Sequence, residues 1–277
     1  MFSFHRDLHV PVDNPDPSST SSTTTAPHPP GFGTWECPLS PVSDFNDSEI
    51  PELPCTAYYI PNFITVAEEQ QLLNRISNAP KPHWTHLSHR RLLTYPSALT
   101  PSNILLNSPL PLWLTAPYIP RMQSLNLWSR SPHGQPNHVL INEYRPGEGI
   151  MPHEDGPAYH PMVATISLGS PIVLDIYEKN EMRNPEEKRI PIWRILQEPR
   201  SLLVTTGELY TGFLHGVEGV DVDEQLRPGQ GGIANWELLG DQEGFVAGRS
   251  TRGMRTSLTY RDVLRVSNLG GKVLGRR

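Results

Sequence analysis

The stretch NHVLINEYRPGEGIMPHEDGP, residues 137–157, carries two sequence patterns that meet. Its first half, HVLINEY, is a short run rich in Val, Ile, Leu and Tyr, which predicts a strand. Its second half ends in His153-Glu154-Asp155. On extended backbone, residues i and i+2 face the same way, so His153 and Asp155 would converge on one point. Asn142 and Tyr144 are also two apart on one strand face, and both can hydrogen-bond a carboxylate.

Outward from this stretch the strand pattern continues. VATISLG, IVLDIYE, IPIWRIL, SLLVTT and MRTSLTYRDV are short runs of the same composition, separated by Gly, Pro and Asn. Short strands in this number predict a sandwich, barrel or jelly roll. Ahead of them lies TVAEEQQLLNRISNAP. Thr65 and Glu68 form a capping box, Ile64, Leu72, Leu73 and Ile76 are helix-spaced, and Pro80 stops the run, so a helix is expected over about 66–78. PLWLTAPYIPRMQSLNLW is a second helical candidate, expected to be broken at Pro117 and Pro120. Helices first and strands after is an α+β order. DVDEQLRPGQGGIANWELLGDQEGFVAGRS, at about 221–250, is polar and Gly-rich and reads as a long mobile insertion loop. PVDNPDPSSTSSTTTAPHPPGFG, near the N-terminus, lacks the apolar residues that would offset its ordering entropy. A disordered low-complexity tail is therefore expected over 1–50, with order beginning near Pro54 and the folded domain over 51–277.

The whole chain has 277 residues, 30 of them proline, and a formal net charge of -6. That charge gives no global case for nucleic-acid binding, so such a partner would require a local basic patch. Residues 249–277 hold eight Lys or Arg against one acid, but Arg255 and Arg261 among them lie in a strand pattern. Cys37 and Cys55 are the only cysteines. They form no CxxC pair and no disulfide framework, which favours a reducing compartment. The expectation is an intracellular protein of the cytoplasm or nucleus, a monomer, with no signal peptide and no membrane span.

His153 and Asp155 alone also suit a polar turn at a strand end. Two His and one carboxylate, however, are the ligand set of non-haem Fe(II) oxygenases, which leave metal positions open. The second His has to come from a distant strand. His215, in GELYTGFLHGV, follows a strong strand and precedes a glycine. His160 reads as part of a Tyr-His-Pro turn, and His133 and His138 precede the strand leading to the site. An iron of this kind requires an electron source, and 2-oxoglutarate is one. Its distal carboxylate calls for a cation, for which arginine suits best. Arg255 and Arg261 are six apart, so they share one face of a strand with Ser257 and Thr259, while Leu258 and Tyr260 share the other. One arginine could hold the distal carboxylate and the other pair with Asp155 or the C1 carboxylate. A solvated face of an edge strand is the alternative for such a pair.

With Asn142-x-Tyr144, His153-x-Asp155, His215 and Arg255-x5-Arg261 in order, the chain resembles the AlkB-type 2-oxoglutarate/Fe(II) dioxygenases from about residue 55 to 270. That resemblance implies a double-stranded β-helix, a jelly-roll or cupin-like barrel with N-terminal helices packed on it and a catalytic core at about 137–265. It implies that His153, Asp155 and His215 hold Fe(II), that Asn142 and Tyr144 contact 2-oxoglutarate, that Arg255 binds its C5 carboxylate, and that Arg261 lies near the C1 carboxylate and Asp155. O₂ is the oxidant, and no catalytic side chain beyond the metal centre is implied. The expected activity is oxidative demethylation or hydroxylation of a methylated base in a nucleic acid or of a methylated protein. A catalytically silent nucleic-acid-binding or scaffold module that keeps the barrel is the alternative. KPHWTHLSHRRLLTYP corresponds in position to the family's substrate-recognition lid, which makes Lys81, Trp84, Arg90 and Arg91 candidate substrate contacts.

Overall fold

A computed structural model describes residues 46–53, 57–179 and 189–267. Strands β1 (Ala57–Ile60), β2 (Thr85–Leu87), β3 (Arg90–Tyr95), β4 (Leu105–Leu106), β5 (His138–Tyr144), β6 (Ile150–His153), β7 (Tyr159–Gly169) and β8 (Ile172–Glu178) are followed by β9 (Trp193–Gln197), β10 (Leu202–Thr206), β11 (Phe213–Val217), β12 (Val222–Glu224), β13 (Arg249–Thr251), β14 (Arg255–Val263) and β15 (Val266–Ser267). The α-helices are α1 (Val66–Ser77), α2 (Leu112–Thr115), α3 (Tyr118–Ser124) and the short α4 (Gly207–Thr211).

Two antiparallel sheets form a jelly roll. The major sheet runs β1-β10-β7-β14-β5-β3-β2 and the minor one β6-β11-β8-β9. Strand β14 lies between β7 and β5, and all nine of its residues are buried. Its two faces do different work. Leu258 and Tyr260 enter the core formed with Leu72 and Ile76 of α1 and Met122 of α3, and the Tyr260 hydroxyl donates to the Leu114 carbonyl at 2.9 Å. Arg255, Ser257, Thr259 and Arg261 face a cavity between the sheets. The period-2 reading of this strand is therefore correct, and the edge-strand alternative for its arginines is not.

Helix α1 has the expected capping box: the Glu68 amide donates to Thr65 Oγ1 at 3.2 Å and the Thr65 amide to Glu68 Oε2 at 2.8 Å. Glu68 also takes a two-pronged ion pair from Arg121 of α3, which holds its carboxyl down at about 2. The next residue, Glu69, accepts from the Gly169 amide at the end of β7 and from Arg200, locking α1 onto the major sheet. The second helical segment breaks after α2, where Pro117 caps α3. Pro120 is only the third residue of α3, where the missing N–H has no intrahelical acceptor to lose. The tail expected over 1–50 falls mostly outside the described residues, as do Cys37 and Cys55. Packing nevertheless starts ahead of Pro54, because Ile50 is fully buried and its amide donates to the Ala57 carbonyl.

The segment 221–250 is not the mobile loop its composition suggests. Leu226, Ile233, Leu239 and Phe245 fill a second apolar core with Val173, Ile195 and Leu196 of the minor sheet. Asn235 is fully buried and copies a neighbouring strand, its amide oxygen accepting from the Leu196 N–H and its amide nitrogen donating to the Leu196 carbonyl, both at 2.9 Å. The Glu198 carboxylate takes the Gly240 and Asp241 amides and the Tyr59 hydroxyl. Buried Arg252 pairs with buried Asp223 through two bonds at 2.7 and 2.6 Å. Composition misleads here because four well-spaced apolar residues and one amide side chain suffice to anchor a Gly-rich segment.

Candidate metal centre

His153 ends β6 and His215 lies on β11, directly across an antiparallel pair, with ring centroids 4.4 Å apart. Asp155 follows just beyond β6, and one ligand atom from each of the three residues lies within 4.8 Å of the others. The strands approach closely because Gly216 has no side chain: a Cβ there would sit 3.0 Å from the Ile150 carbonyl oxygen and the Pro152 nitrogen. The register shifts between His215 and Val217. His153 Nδ1 is 2.8 Å from the Met151 carbonyl oxygen. A carbonyl only accepts, so Nδ1 carries the proton and Nε2 keeps the lone pair a metal needs.

The other histidines weighed for this site lie elsewhere. His133 meets Asp262 at 2.6 Å on the far face of β14. His138 is buried opposite Arg261 at the start of β5. His160 is in strand β7, not in a turn.

The two arginines of β14 have different partners. Arg261 grips both oxygens of Asp155, through Nε at 3.2 Å and through a terminal nitrogen, and its guanidinium lies 5.0 Å from the Tyr159 ring centre. Arg261 thus fixes the orientation of the carboxylate ligand, and its charge is cancelled. Arg255 has no such anion among the described residues. One terminal nitrogen donates to Ser167 Oγ at 3.0 Å and to Gln197 Oε1 at 3.2 Å, both neutral. Its buried Nε has no partner among the described residues. Burial lowers its pKa to about 10. A buried cation with an orphaned donor fits an incoming carboxylate. The metal and a dicarboxylate chelator therefore both fit the residues present.

Asn142 and Tyr144 line the same cavity, of about 280 Å³, with His153, Asp155, His215 and Arg255. Tyr144 lies under Arg255, 5.7 Å from ring centre to guanidinium, and burial raises its phenol pKa. Arg90 also lines the cavity and donates from Nε to Asn142 Oδ1 at 3.2 Å. Of the four expected substrate contacts, Arg90 alone is among the cavity-lining residues. Trp84 and Arg91 lie away from the cavity. Trp84 is buried in the core beneath the Arg91 guanidinium, 4.0 Å away, and Arg91 makes bonds of 2.5 and 2.9 Å to buried Glu143. Arg91 and Glu143 alternate with Arg90 and Asn142 on their strands, so they fall on the opposite face of the sheet. Lys81 is exposed on a 3-10 turn at 81–83.

Sequence reasoning missed Ser167, Gln197 and Tyr210. Ser167 had a readable signal, since Thr165 and Ser167 alternate as small polar residues along TISLG like Ser257 and Thr259 in β14. Gln197 had none, because its partner lies on the other sheet. Tyr210 comes from α4 and donates to the Gly156 carbonyl at 2.8 Å, beside Asp155.

Residues 116–261 match the model of the 2OG-Fe(II) oxygenase superfamily. The chain is 40% identical over 230 residues, 81% of its length, to the probable RNA/DNA demethylase ALKBH6 of Danio rerio, covering 93% of that protein. It is 36% identical over 138 residues, 48% of its length, to the tRNA (carboxymethyluridine(34)-5-O)-methyltransferase ALKBH8 of Mus musculus, but spans only 18% of that protein. Among solved structures, OsALKBH1 superposes with a TM-score of 0.49 at 14% identity, covering 76% of this chain and 98% of that one.

Proposed function

The chain belongs to the 2OG-Fe(II) oxygenase superfamily, and from that premise we propose that it is an oxidative demethylase of N-methylated bases in nucleic acid. It is a 2-oxoglutarate-dependent oxidoreductase whose cofactors are Fe(II), 2-oxoglutarate and O₂. When bound, these supply oxidation of a C–H bond, and an N-methyl group so hydroxylated leaves as formaldehyde.

One observation carries the site assignment: a single cavity holds a His-Asp-His ligand group near one end of β14 and an uncompensated buried guanidinium from the other. In this reading His153, Asp155 and His215 hold the iron, and Arg261 keeps Asp155 aimed. Arg255 takes the C5 carboxylate of 2-oxoglutarate, with Asn142 and Tyr144 alongside. Arg90 locks the Asn142 amide oxygen, which leaves the amide N–H groups to donate into the cavity. Arg255, Asn142 and Tyr144 are buried, which strengthens their polar contacts.

The nucleic-acid part of the proposal is supported by the relatedness to a probable RNA/DNA demethylase and by Arg90, a cation that lines the cavity. We place the enzyme in the cytoplasm or nucleus and treat it as a monomer. No helix among the described residues is long and apolar enough to cross a membrane. The test is Fe(II)-dependent conversion of 2-oxoglutarate to succinate, with His153→Ala and Asp155→Ala as controls. A formaldehyde-release screen over methylated RNA, methylated DNA and methylated peptides accompanies it. Equal background in wild type and both variants removes the site assignment, and release from peptides alone removes the nucleic-acid substrate.

A further inference from the structure

Arg255 and Arg261 sit on the same face of one strand, and both are buried. Arg261 is neutralised by a carboxylate, whereas Arg255 is held by a serine hydroxyl and a glutamine amide. A carboxylate at either contact would hold a buried guanidinium more strongly than a neutral acceptor. The neutral pair holds it while leaving its charge unspent.

We infer that Gln197 is a positioning residue for the co-substrate: reaching across from the minor sheet, its amide oxygen fixes the Arg255 guanidinium without cancelling the charge that receives the distal carboxylate of 2-oxoglutarate. The inference rests on the reading of Arg255 given above.

Gln197 is 2% exposed and lies at the end of β9. Its Oε1 accepts from Ser167 Oγ at 3.2 Å and from Arg255 at 3.2 Å, so the β7 hydroxyl and the β14 guanidinium converge on one β9 side chain. The residues on either side are pinned by the segment 221–250. Leu196 is held by both arms of the Asn235 amide. Glu198 spends its carboxylate on two loop amides and Tyr59, so it is not the missing counter-ion of Arg255. The packed segment thereby fixes where the Gln197 oxygen stands, and Gln197 fixes which donors of Arg255 remain free. Nε of Arg255 is buried and has no hydrogen-bond partner among the described residues, so the guanidinium keeps donor capacity that Gln197 and Ser167 do not use.

The isostere Gln197→Glu separates this role from simple packing. It keeps size and shape but gives Arg255 an internal anion. The protein free of metal and co-substrate becomes more stable, because a buried charge acquires a partner. Binding of 2-oxoglutarate weakens, because its carboxylate then competes with a fixed one. The measurements are melting temperature without ligands, its rise on adding 2-oxoglutarate, and KM and kcat from succinate formation. For Gln197→Glu the expected result is a higher melting temperature, loss of the rise with 2-oxoglutarate, and a KM about 100-fold larger, as for one charge-assisted bond lost. Gln197→Met keeps the charge of Arg255 but frees the guanidinium. Its KM should rise about 10-fold while kcat falls less. A Gln197→Glu protein that is less stable than wild type, or that keeps the wild-type KM, overturns the inference. An unchanged KM in Gln197→Met overturns it as well. If wild type itself neither gains stability from 2-oxoglutarate nor converts it, the underlying reading of Arg255 fails, a result distinct from failure of the variants.

Discussion

Replacing Asn235 with alanine tests how the segment 221–250 is built and what it does for the site. Asn235 and Leu196 are both fully buried. The side chain satisfies the Leu196 N–H and C=O with two bonds of 2.9 Å. Alanine removes both partners and leaves two buried backbone groups without them. Each such group costs about 1–3 kcal/mol, so the loss should total about 2–6 kcal/mol. That is a large part of the roughly 5–15 kcal/mol that typically holds a domain together. The assay is urea denaturation, read as a lower midpoint with an unchanged slope. Because Gln197 follows Leu196, the KM for 2-oxoglutarate should rise in the same variant. A stability loss below about 0.5 kcal/mol would mean that the segment is a dispensable surface loop, as its composition suggests, and would refute the reasoning.

Arg255→Ala should raise the KM for 2-oxoglutarate by at least about 100-fold while Fe(II) binding, measured by calorimetry with the metal alone, stays near wild type. Arg261→Gln should do the reverse, weakening Fe(II) about 10- to 100-fold through loss of its grip on Asp155. Arg91→Ala should cost about 3–5 kcal/mol, because it strands buried Glu143, yet leave the salt dependence of RNA binding unchanged. Lys81→Ala and Arg90→Ala should each lower the slope of log affinity against log salt by about 1. Burial lifts the Asp175 carboxyl to about 6, with Arg194 opposing and Glu218 adding to the rise. A raised carboxyl stabilises the fold below its unfolded pKa, near 4, and that contribution is lost as pH climbs through 6. Wild type should therefore lose about 2 kcal/mol relative to Asp175→Asn between pH 4 and 7, measured by denaturation at each pH.

Much of the site was legible in the chain because its signals are local. Two-residue spacing puts Asn142 and Tyr144 on one face of β5 and keeps Asp155 close behind His153 at the end of β6. Six-residue spacing puts Arg255 and Arg261 on one face whatever the rest of the protein does. The same alternation sent Leu258 and Tyr260 into the core and the capping box placed the start of α1. Period-2 alternation also carried the information that separates Arg90 from Arg91, but it acts only once the strand β3 is known to pair with β5. A basic, aromatic-rich stretch read as one substrate lid therefore divides into one cavity-facing arginine and one structural stack of Arg91, Trp84 and Glu143.

The sequence by itself determined the residue types brought to the cavity, the fold class and the face each strand turns inward, because side-chain direction along a strand depends only on backbone geometry. Tertiary structure alone decided the partners. Nothing in RTSLTYR says that Arg261 meets an anion and Arg255 does not, since Asp155 and Gln197 reach them from segments 106 and 58 residues away. Nor does a glycine-rich stretch announce that its Asn235 will finish the edge of β9. Hydrogen-bond partners and burial are properties of the packed chain, so the difference between two identical side chains on one strand appears only when both sheets are in place.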